Sequence, residues 1–308
     1  MAQIPGTQWN SNMWLYLPNY KEIFRSKVDT IMREKGQQVK YTDFNGIDLI
    51  HPGRHDAVDT FFKNYQIGSD AKIFEVGGGL GGSARHLHAT RGVSIYGIEY
   101  LPHFVEASNE LNALLGYSDK ITLRTGDIAN CEVPENEFDV ALASVCFMYV
   151  QSVQGLMNVA KALKPGGLFY LEDYYFVKPH DQWDENDLHN IEARGMCGVR
   201  TKEEYYRIFE EMGMEVVEEL EWGWYWSESA WQRAESILNE GVAQDTGIDS
   251  EYHQYVVVSP QLNCDVHHLG LEEIQRRYPS VCKVHNPEEL VFNKQRLTSL
   301  WKVVLRKK

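Results

Sequence analysis

Short apolar runs alternate with longer amphipathic stretches in the middle of the chain. Strands favour short runs of β-branched and aromatic residues, whereas helices need longer stretches with apolar residues three or four positions apart. Runs of the first kind occur at Ile73–Phe74, Ser94–Ile98, Ile121–Leu123, Val140–Val145 and Leu168–Leu171. Helix-length segments separate them, and this alternation predicts a parallel sheet with helices on both faces.

Two more apolar runs extend this pattern towards the C-terminus, at Met214–Leu220 and Ser299–Leu305. A helix-length segment from Thr201 to about Met212 precedes the first of them. With these two strands the sequence predicts an α/β fold, built on a doubly wound, seven-stranded, Rossmann-like sheet.

The segments on either side of this core have a different pattern of apolar residues. Helical spacing at Tyr20–Met32 and again near Ala57–Phe62 predicts an N-terminal helical cap or lid. An aromatic and mostly helical insertion is expected before the last strand. The predicted organisation is a cap over residues 1–65, a core over 66–220, a substrate-side insertion over 221–290 and the last strand of the core sheet within 291–308.

Composition and charge narrow the classes of partner. The chain has 308 residues and a formal net charge of -14, which disfavours nucleic acid, since phosphate binding needs clustered Lys and Arg. Its longest apolar run, Val140–Val150, is too short to cross a bilayer, so we expect no membrane insertion. The 5 cysteines are scattered and form no CxxC pair, which favours a reducing compartment. We therefore expect a cytoplasmic protein, with a homodimer as one option.

The densest chemical signal is the glycine-rich segment Ile73-Phe-Glu-Val-Gly-Gly-Gly-Leu-Gly-Gly82. A predicted strand leads into it and a helix follows, an arrangement in which the loop backbone can approach a ligand closely because glycine has no side chain. Two patterns fit the same residues. Gly77, Gly79 and Gly82 fit the GxGxxG of dinucleotide-binding proteins, whereas Gly77, Gly79 and Gly81 fit the GxGxG of methyltransferases. The loop alone leaves both open.

The segments around the loop resemble class I S-adenosylmethionine-dependent methyltransferases in order and spacing. Glu75 precedes the loop, Glu99 ends the next strand, and Asp127 follows the third strand. The segment Ala162-Leu-Lys-Pro-Gly-Gly-Leu-Phe-Tyr-Leu-Glu-Asp173 resembles the family's helix end, turn and fifth strand. Its Pro-Gly-Gly is expected to stop the helix and redirect the chain into the strand. The resemblance covers about residues 70–220.

This resemblance implies a site for S-adenosylmethionine and no metal. It assigns Glu75 to the amino-acid end of the cofactor, Glu99 to the ribose hydroxyls, and Asp127 with the following backbone to the adenine edge. The full set of expected cofactor contacts is Glu75, Gly77, Gly78, Gly79, Gly81, Glu99, Tyr100, Asp127, Ile128 and Ser144. Two alternatives stay open: an NAD-dependent oxidoreductase, against which Glu75 weighs, and a methyltransferase-like binding module without turnover, against which the intact glycines weigh.

Two further segments are similar to the small-molecule group that includes phosphoethanolamine, sarcosine/dimethylglycine and sterol methyltransferases. They are Gly46-Ile-Asp-Leu-Ile-His-Pro-Gly53, ahead of the first strand, and the helix and strand that begin at Thr201. One departure concerns mechanism: Tyr149 stands where the group often has a His, so a His-based mechanism is not carried over. The expected partner is a small-molecule methyl acceptor. N-methylation of an amine or amino acid is expected, with O- or C-methylation of a metabolite as the alternative.

Acceptor contacts are expected at the carboxyl ends of the strands, where open α/β sheets bind ligands. Tyr149, Asp173 and His51 are the expected catalytic residues, although an Asp at such a place is about as often a cap for backbone amides. The expected substrate-binding residues are Tyr174, Arg194, Trp222 and Trp224. Aromatic rings bind cationic amines through their faces, in agreement with the acidic balance of the chain, but such rings also pack insertions.

Overall fold

The computed structural model describes residues 20–48, 55–185, 187, 188, 191, 196–223, 228, 231, 232, 235, 238, 239, 270–284 and 297–308. Three predicted site residues, His51, Arg194 and Trp224, lie outside these residues, as does most of the predicted insertion.

The described residues contain eight strands in one sheet. The strands are β1 (Lys72–Val76), β2 (Ser94–Glu99), β3 (Ile121–Thr125), β4 (Phe138–Ser144), β5 (Leu163–Phe176), β6 (Arg200–Thr201), β7 (Met214–Glu221) and β8 (Thr298–Lys307). The described helices are α1 (Tyr20–Lys35), α2 (Asn45–Asp48), α3 (Asp56–Asn64), α4 (Gly82–Arg91), α5 (Pro102–Leu114), α6 (Gln154–Ala162), α7 (Lys202–Glu211), α8 (Leu271–Arg277) and α9 (Pro279–Val284).

The order of the strands confirms the doubly wound α/β prediction. Along the sheet it is β3-β2-β1-β4-β5-β8-β7, with the first five parallel and β8 antiparallel to both of its neighbours. The predicted number of seven strands is wrong by one, because β6 also pairs with β5. β4 ends opposite Glu172, so β5 extends past it by the residues 173–176, and β6 pairs with the last two of them. A strand of two residues leaves no hydrophobic pattern to detect.

β5 begins earlier than its Pro-Gly-Gly segment predicts. α6 ends at Ala162, as expected, but the chain is already extended at Leu163, which pairs with Phe138. Gly166 has a φ of 78°, a left-handed value that residues with a side chain rarely adopt. The register between β4 and β5 shifts just beyond Phe138. The Pro-Gly-Gly segment therefore bends a strand that has already begun.

Each face of the sheet packs against its own hydrophobic cluster. α6 and α7 cover one face, where Phe169, Leu171 and Trp301 are fully buried. α3 and α4 cover the other, where the ring of Phe61 lies 5.1 Å from that of Tyr170. Successive residues of a strand point to opposite faces, so Tyr170 belongs to a different cluster from its neighbours Phe169 and Leu171. Each such side chain contributes about 1.5–3 kcal/mol by its burial.

A buried ion pair fastens the N-terminal cap to this core. Arg85 in α4 is fully buried and donates to the carboxylate of Asp48 in α2 at 2.8 Å. Its guanidinium also donates to Asn112 of α5 at 2.9 Å and to the carbonyl oxygen of Leu80 in the glycine loop. Burial raises the pKa of Asp48, and Arg85 lowers it. The cap, the loop and α5 are thereby joined at one point.

Candidate functional site

The glycine-rich loop between β1 and α4 lies at the carboxyl edge of the sheet, where open α/β sheets bind ligands. Gly77 donates its backbone N–H to the carbonyl oxygen of Ile98 at 2.8 Å. A Cβ atom built on Gly77 would lie 2.5 Å from the Cβ of Cys146, so no side chain fits there. A Cβ on Gly79, which has a φ of 54°, would meet nothing within 4 Å. The loop is therefore tightly packed at Gly77 and open at Gly79.

Glu99, the last residue of β2, holds the loop from the neighbouring strand. Its Oε2 accepts the backbone N–H of Gly79, and its Oε1 accepts that of Leu101, each at 2.9 Å. Burial raises the pKa of this carboxyl, while the N–H donors of Leu101, Gly79 and Tyr100 lower it. A carboxylate has about four acceptor positions, so Glu99 can still accept hydroxyl donors. Tyr100, the next residue, is 50% exposed.

Glu75 in β1 is a buried carboxyl, and its Oε2 has no hydrogen-bond partner among the described residues. A Cβ built on Gly78 would lie 3.1 Å from this oxygen, so the side chain lies directly under the loop. Burial raises the pKa of Glu75 to about 7, while Arg85 lowers it and Glu99 raises it. A buried acceptor without a donor is costly. The loop and this carboxyl therefore fit the cationic amino-acid end of S-adenosylmethionine.

Asp127 and Ile128 form the turn after β3. The Asp127 carboxylate accepts the backbone N–H of Ala129 at 2.9 Å and the side-chain amide of Asn130 at 2.6 Å. The carbonyl oxygen of Ile128 accepts the side-chain amide of Asn158, in α6, at 2.7 Å. These hydrogen bonds fix the shape of the turn for which the sequence predicts adenine contacts.

The end of β4 carries a strained residue beside a buried carboxylate. Ser144 lies opposite Glu172 in the register of β4 and β5. Glu172 is 1% exposed, and its Oε2 accepts the hydroxyl of Ser144 at 3.2 Å and that of Tyr170 at 2.9 Å. Val145 has a φ of 51°, rare for a β-branched residue, and donates its N–H to the Glu172 carbonyl oxygen at 2.7 Å. Strain of this kind clusters at functional sites.

Asp173 points to the opposite face of β5, where it binds backbone amides. It is fully buried, and its Oδ2 accepts the N–H groups of Phe147 at 2.7 Å and Met148 at 3.2 Å. Its Oδ1 accepts that of Tyr174 at 2.7 Å. Burial raises the pKa of Asp173 to about 7, although these donors lower it. These contacts favour the capping alternative for Asp173, and its contact with an acceptor stays a prediction.

Two predicted acceptor contacts, Tyr149 and Tyr174, meet at one hydrophobic cluster. Both are half-buried against its core, which consists of Met148, Phe176, Ile191, Met196 and Val199. Arg200 fixes the loop that follows Tyr149, because its guanidinium donates to the carbonyl oxygens of Gln151, at 2.7 Å, and of Gly198. Both tyrosines therefore pack against the same cluster, and their contact with an acceptor stays a prediction.

Trp222, a predicted substrate contact, directly follows β7. It is partly buried against the cluster that α3 and α4 form with the sheet. The ammonium of Lys302 lies 5.1 Å from the centre of its ring and 2.5 Å from a carboxylate oxygen of Glu218. A cation of the protein itself therefore lies over this ring. Binding of an acceptor by Trp222 stays a prediction.

Comparison with known proteins agrees with this geometry. Residues 74–171 match a family model described as a methyltransferase domain. The match runs from β1 through the glycine loop to the middle of β5 and so includes Glu75, Glu99, Asp127 and Ser144. This match covers 98 of the 308 residues, and this part of the chain is similar to methyltransferase domains.

Two methyltransferases are similar to this chain over part of their length. The chain is 29% identical to the sterol 24-C-methyltransferase of Yarrowia lipolytica over 127 residues, which are 41% of this chain and 32% of that enzyme. It is 24% identical to the phosphoethanolamine N-methyltransferase of Plasmodium falciparum over 186 residues, which are 59% of this chain and 68% of that enzyme. The chain thus matches about a third of the sterol enzyme's length.

Solved structures extend the likeness in fold to most of the chain. Phosphoethanolamine N-methyltransferase 2 of Haemonchus contortus, in complex with phosphomonomethylethanolamine and S-adenosylhomocysteine, has a TM-score of 0.63 at 15% identity over 92% of this chain and 60% of that chain. Geranyl diphosphate C-methyltransferase of Streptomyces coelicolor has a TM-score of 0.55 at 14% identity over 83% of this chain and 81% of that chain. The predicted class I methyltransferase fold is confirmed.

Several residues that join distant segments of this fold were not among the residues predicted from the sequence. Arg85 and Asp48 are 37 positions apart, and Asn158 lies 30 positions from the carbonyl oxygen that it binds. The sequence did hold an indication that Arg85 is buried. It is a charged residue between Ala84 and Leu87, two apolar residues that are buried in α4. No pattern along the chain indicates its partner.

No group of three or more His, Cys, Asp or Glu side chains is arranged to hold a metal ion among the described residues. Cys264, His267 and His268, which carry metal-capable atoms, lie outside them. None of the described helices combines the length and the apolar character needed to span a membrane.

Proposed function

We propose that this protein transfers a methyl group from S-adenosylmethionine to the nitrogen of a small amine or amino acid. The observation that carries the cofactor part of this proposal is the buried Glu75 oxygen without a partner, beneath a loop that is open at Gly79. The nitrogen acceptor is an expectation from the sequence. NAD would bring a pyrophosphate to this loop, and a carboxylate under it would repel that group. An ammonium group is the complementary ligand, because it supplies the missing donors and the opposite charge.

The remaining cofactor contacts follow from the neighbouring strands. Glu99 has acceptor capacity left for the ribose hydroxyls, and Tyr100 stands beside it at the surface. Asp127 and the backbone of Ile128 are proposed to bind the adenine edge, in a turn that Asn158 keeps in place. The glycines at 77, 78, 79 and 81, together with Ser144, are proposed to surround the amino-acid end.

S-adenosylmethionine supplies a methyl group already activated by its sulfonium, so the displacement needs little proton transfer from the protein. The protein's share is then to orient the acceptor and to exclude water. Asp173 and Arg200 hold the turn that carries Tyr149, and Tyr174 of β5 packs against the same hydrophobic cluster as Tyr149. An acceptor amine has to be uncharged when it attacks, and a buried site favours the uncharged form of an amine.

Methylation of a carbon or oxygen atom is the second candidate. The cluster beside Tyr149 and Tyr174 is apolar, and its described core residues carry no charge. Such a surface suits an apolar metabolite. The relatives named above include both nitrogen and carbon methyltransferases.

Calorimetric titration with S-adenosylmethionine, S-adenosylhomocysteine and NAD tests the cofactor assignment. We expect both adenosyl ligands to bind and NAD to fail, and binding of NAD alone would overturn the proposal. A turnover assay with amines, phenols and isoprenoids then separates nitrogen from oxygen and carbon acceptors. A cytoplasmic location and a homodimer stay predictions from the sequence, which a localisation experiment and light scattering can check.

A further inference from the structure

Gly82, the first residue of α4, lies directly against the N-terminal cap. A Cβ built on Gly82 would lie 2.8 Å from the carbonyl oxygen of Asp48 and 3.1 Å from the Oδ1 of the same residue. Asp48 therefore fills the space in front of this glycine. Gly79, three residues earlier, differs, because a Cβ built there would meet no described atom within 4 Å. The glycine loop is thus open at Gly79 and closed where α4 begins.

The beginning of α4 is the place where a dinucleotide-binding protein holds its phosphates. The first N–H groups of a helix have no acceptor within the helix, and the helix dipole adds a positive potential there. In Rossmann folds the pyrophosphate of the dinucleotide lies at this N-terminus, directly after the glycine loop. α4 has 10 residues, Gly82–Arg91, and follows the loop in this way. A dinucleotide would therefore need the space that Asp48 fills.

Asp48 also brings a carboxyl group to the N-terminus of α4. Its side chain is almost fully buried, and its Oδ2 accepts the Nε of Arg85 at 3.2 Å and the Nη2 at 2.8 Å. Its Oδ1, the oxygen beside Gly82, is buried and has no hydrogen-bond partner among the described residues. A helix N-terminus favours a carboxylate at such a position. Asp48 thus stands where a ligand's anionic group would otherwise lie.

Arg85 is the second group near the start of α4 that could bind a phosphate. Its guanidinium is fully buried, and a guanidinium binds phosphate and carboxylate groups alike. The carboxyl of Asp48 already occupies two of its donors. Burial raises the pKa of Asp48, although Arg85 lowers it. Protonation would not open the space, because the backbone carbonyl oxygen of Asp48 lies beside Gly82 in either form.

We infer that Asp48 determines cofactor specificity by closing the N-terminus of α4 to phosphate groups, so that the loop selects a cofactor without phosphate. The inference deepens the proposed function and rests on it for the position of the cofactor. S-adenosylmethionine carries no phosphate, whereas NAD carries a pyrophosphate. Two carboxyl groups then divide the selection: Glu75 favours the ammonium group of the right cofactor, and Asp48 excludes the phosphates of the wrong one.

The test asks whether removing the Asp48 side chain creates a site for inorganic pyrophosphate. Asp48→Ala is compared with Asp59→Ala, because Asp59 in α3 also pairs with an arginine of α4, Arg91, at 3.2 Å. Arg91 is the last residue of α4, and the dipole at that end of a helix disfavours anions. The Tm of each protein is measured at increasing pyrophosphate concentration, with sodium chloride keeping the ionic strength constant.

Asp48→Ala should have a lower Tm than the wild-type protein, because the buried Arg85 loses its counter-charge. At about 100 times its Kd, pyrophosphate should raise the Tm of Asp48→Ala by about 5 °C or more. At the same concentration the Tm of the wild-type protein and of Asp59→Ala should rise by less than about 1 °C. Asp48→Asn keeps the volume of the carboxyl group and removes its charge, so its rise should lie between those of the wild-type protein and Asp48→Ala.

Two outcomes would overturn the inference. One is a rise in the wild-type protein as large as in Asp48→Ala, since phosphate groups would then reach the site with Asp48 in place. The other is a rise in the Asp48 variants no larger than in Asp59→Ala. If Asp48→Ala does not fold even with pyrophosphate, the comparison of Asp48→Asn with the wild-type protein and Asp59→Ala decides.

Calorimetric titration of the wild-type protein with S-adenosylhomocysteine tests the proposed function separately. If the wild-type protein binds this ligand and the Asp48 variants show no specific effect of pyrophosphate, the inference fails and the proposed cofactor stands. If the wild-type protein does not bind S-adenosylhomocysteine, the proposed function fails, whatever pyrophosphate does to the variants.

Discussion

The cofactor half and the acceptor half of the site are assembled in different ways. In the cofactor half, Glu75, Glu99 and Asp127 lie at or close to the end of a strand. Glu99 and Asp127 accept hydrogen bonds from the loop or turn beside them, and Glu75 lies under the glycine loop. In the acceptor half, contacts join segments that are far apart in the chain. The guanidinium of Arg200, for example, binds a carbonyl oxygen 49 positions earlier.

Because of this difference, we expect substitutions in the two halves to have different effects on cofactor binding and on stability. Substitutions of the residues proposed to contact the cofactor should weaken binding of S-adenosylmethionine and leave the fold in place, since the loop is open at Gly79. Arg85, which joins this loop to the cap, is a structural residue and should instead affect stability. Substitutions in the acceptor half should first destabilise the turn after β4 and only then change turnover. The following predictions test this separation.

The largest effect is expected for Arg85→Ala, which removes the contact shared by the cap, the loop and α5. Losing one partner of a buried ion pair leaves the buried Asp48 without its counter-charge, at a cost of about 3–5 kcal/mol in the free energy of unfolding. Urea unfolding measures this loss. Arg25→Ala is the control, since the exposed pair of Arg25 with Glu110 should contribute at most about 1 kcal/mol. Equal losses in both variants would contradict the assigned role of Arg85.

Gly79→Val should abolish cofactor binding without a comparable loss of fold. We expect S-adenosylmethionine affinity to fall at least about 100-fold, which is about 2.7 kcal/mol. Gly36→Val is a matched control, because Gly36 also has a φ of 54° and also has nothing within 4 Å of a built Cβ. Both variants should lose similar stability, but only Gly79→Val should lose binding, as calorimetry can show. Unchanged binding in Gly79→Val would refute the loop assignment.

Asp173→Ala tests the acceptor half. It leaves the buried N–H groups of Phe147 and Met148 without an acceptor, which should cost about 1–3 kcal/mol of stability. Turnover should fall as well, because the same turn carries Tyr149. S-adenosylhomocysteine affinity should change by less than about threefold, equivalent to about 0.7 kcal/mol. If Asp173→Ala lost more free energy of S-adenosylhomocysteine binding than free energy of unfolding, the separation of the two halves would be contradicted.

The smallest expected effect is a pH dependence of cofactor binding. The pKa of Glu75 is about 7 in the free protein, so its carboxyl is partly protonated at neutral pH. A bound ammonium group favours the carboxylate, so binding should release a proton. Affinity should then fall as pH decreases below about 7, by at most about tenfold per pH unit. Glu75→Gln should bind the cofactor more weakly, and its affinity should not change with pH. A wild-type affinity that stays constant over about one pH unit on either side of 7 would contradict the pairing of Glu75 with the ammonium group.

The same contrast explains how much the sequence could predict. The glycine loop, Glu75 and Glu99 belong to contiguous strand–loop–helix patterns, and the structure places them together as expected. Contacts such as Asp48 with Arg85 depend on how distant segments dock, which no local pattern encodes. The two adjacent carboxylates of β5 illustrate the limit. Alternation predicts that Glu172 and Asp173 point to opposite faces, but only the packing of Tyr170 shows which of them shares the face of Glu75.

The strand that the sequence did not predict, β6, shows a second limit of what a sequence can predict. β6 has two residues, Arg200 and Thr201, and forms because β5 is longer than β4. Its position depends on the relative lengths of two other strands. The local sequence supports the start of α7 better, since Thr201 and Glu204 form a capping box.

Calorimetric titration of the wild-type protein and of Glu75→Gln with S-adenosylmethionine and NAD tests the central claim most directly. The proposed function predicts that the wild-type protein binds S-adenosylmethionine and not NAD, and that Glu75→Gln loses at least about tenfold in affinity, or about 1.4 kcal/mol. Binding of NAD alone, or equal binding of S-adenosylmethionine by both proteins, would contradict it.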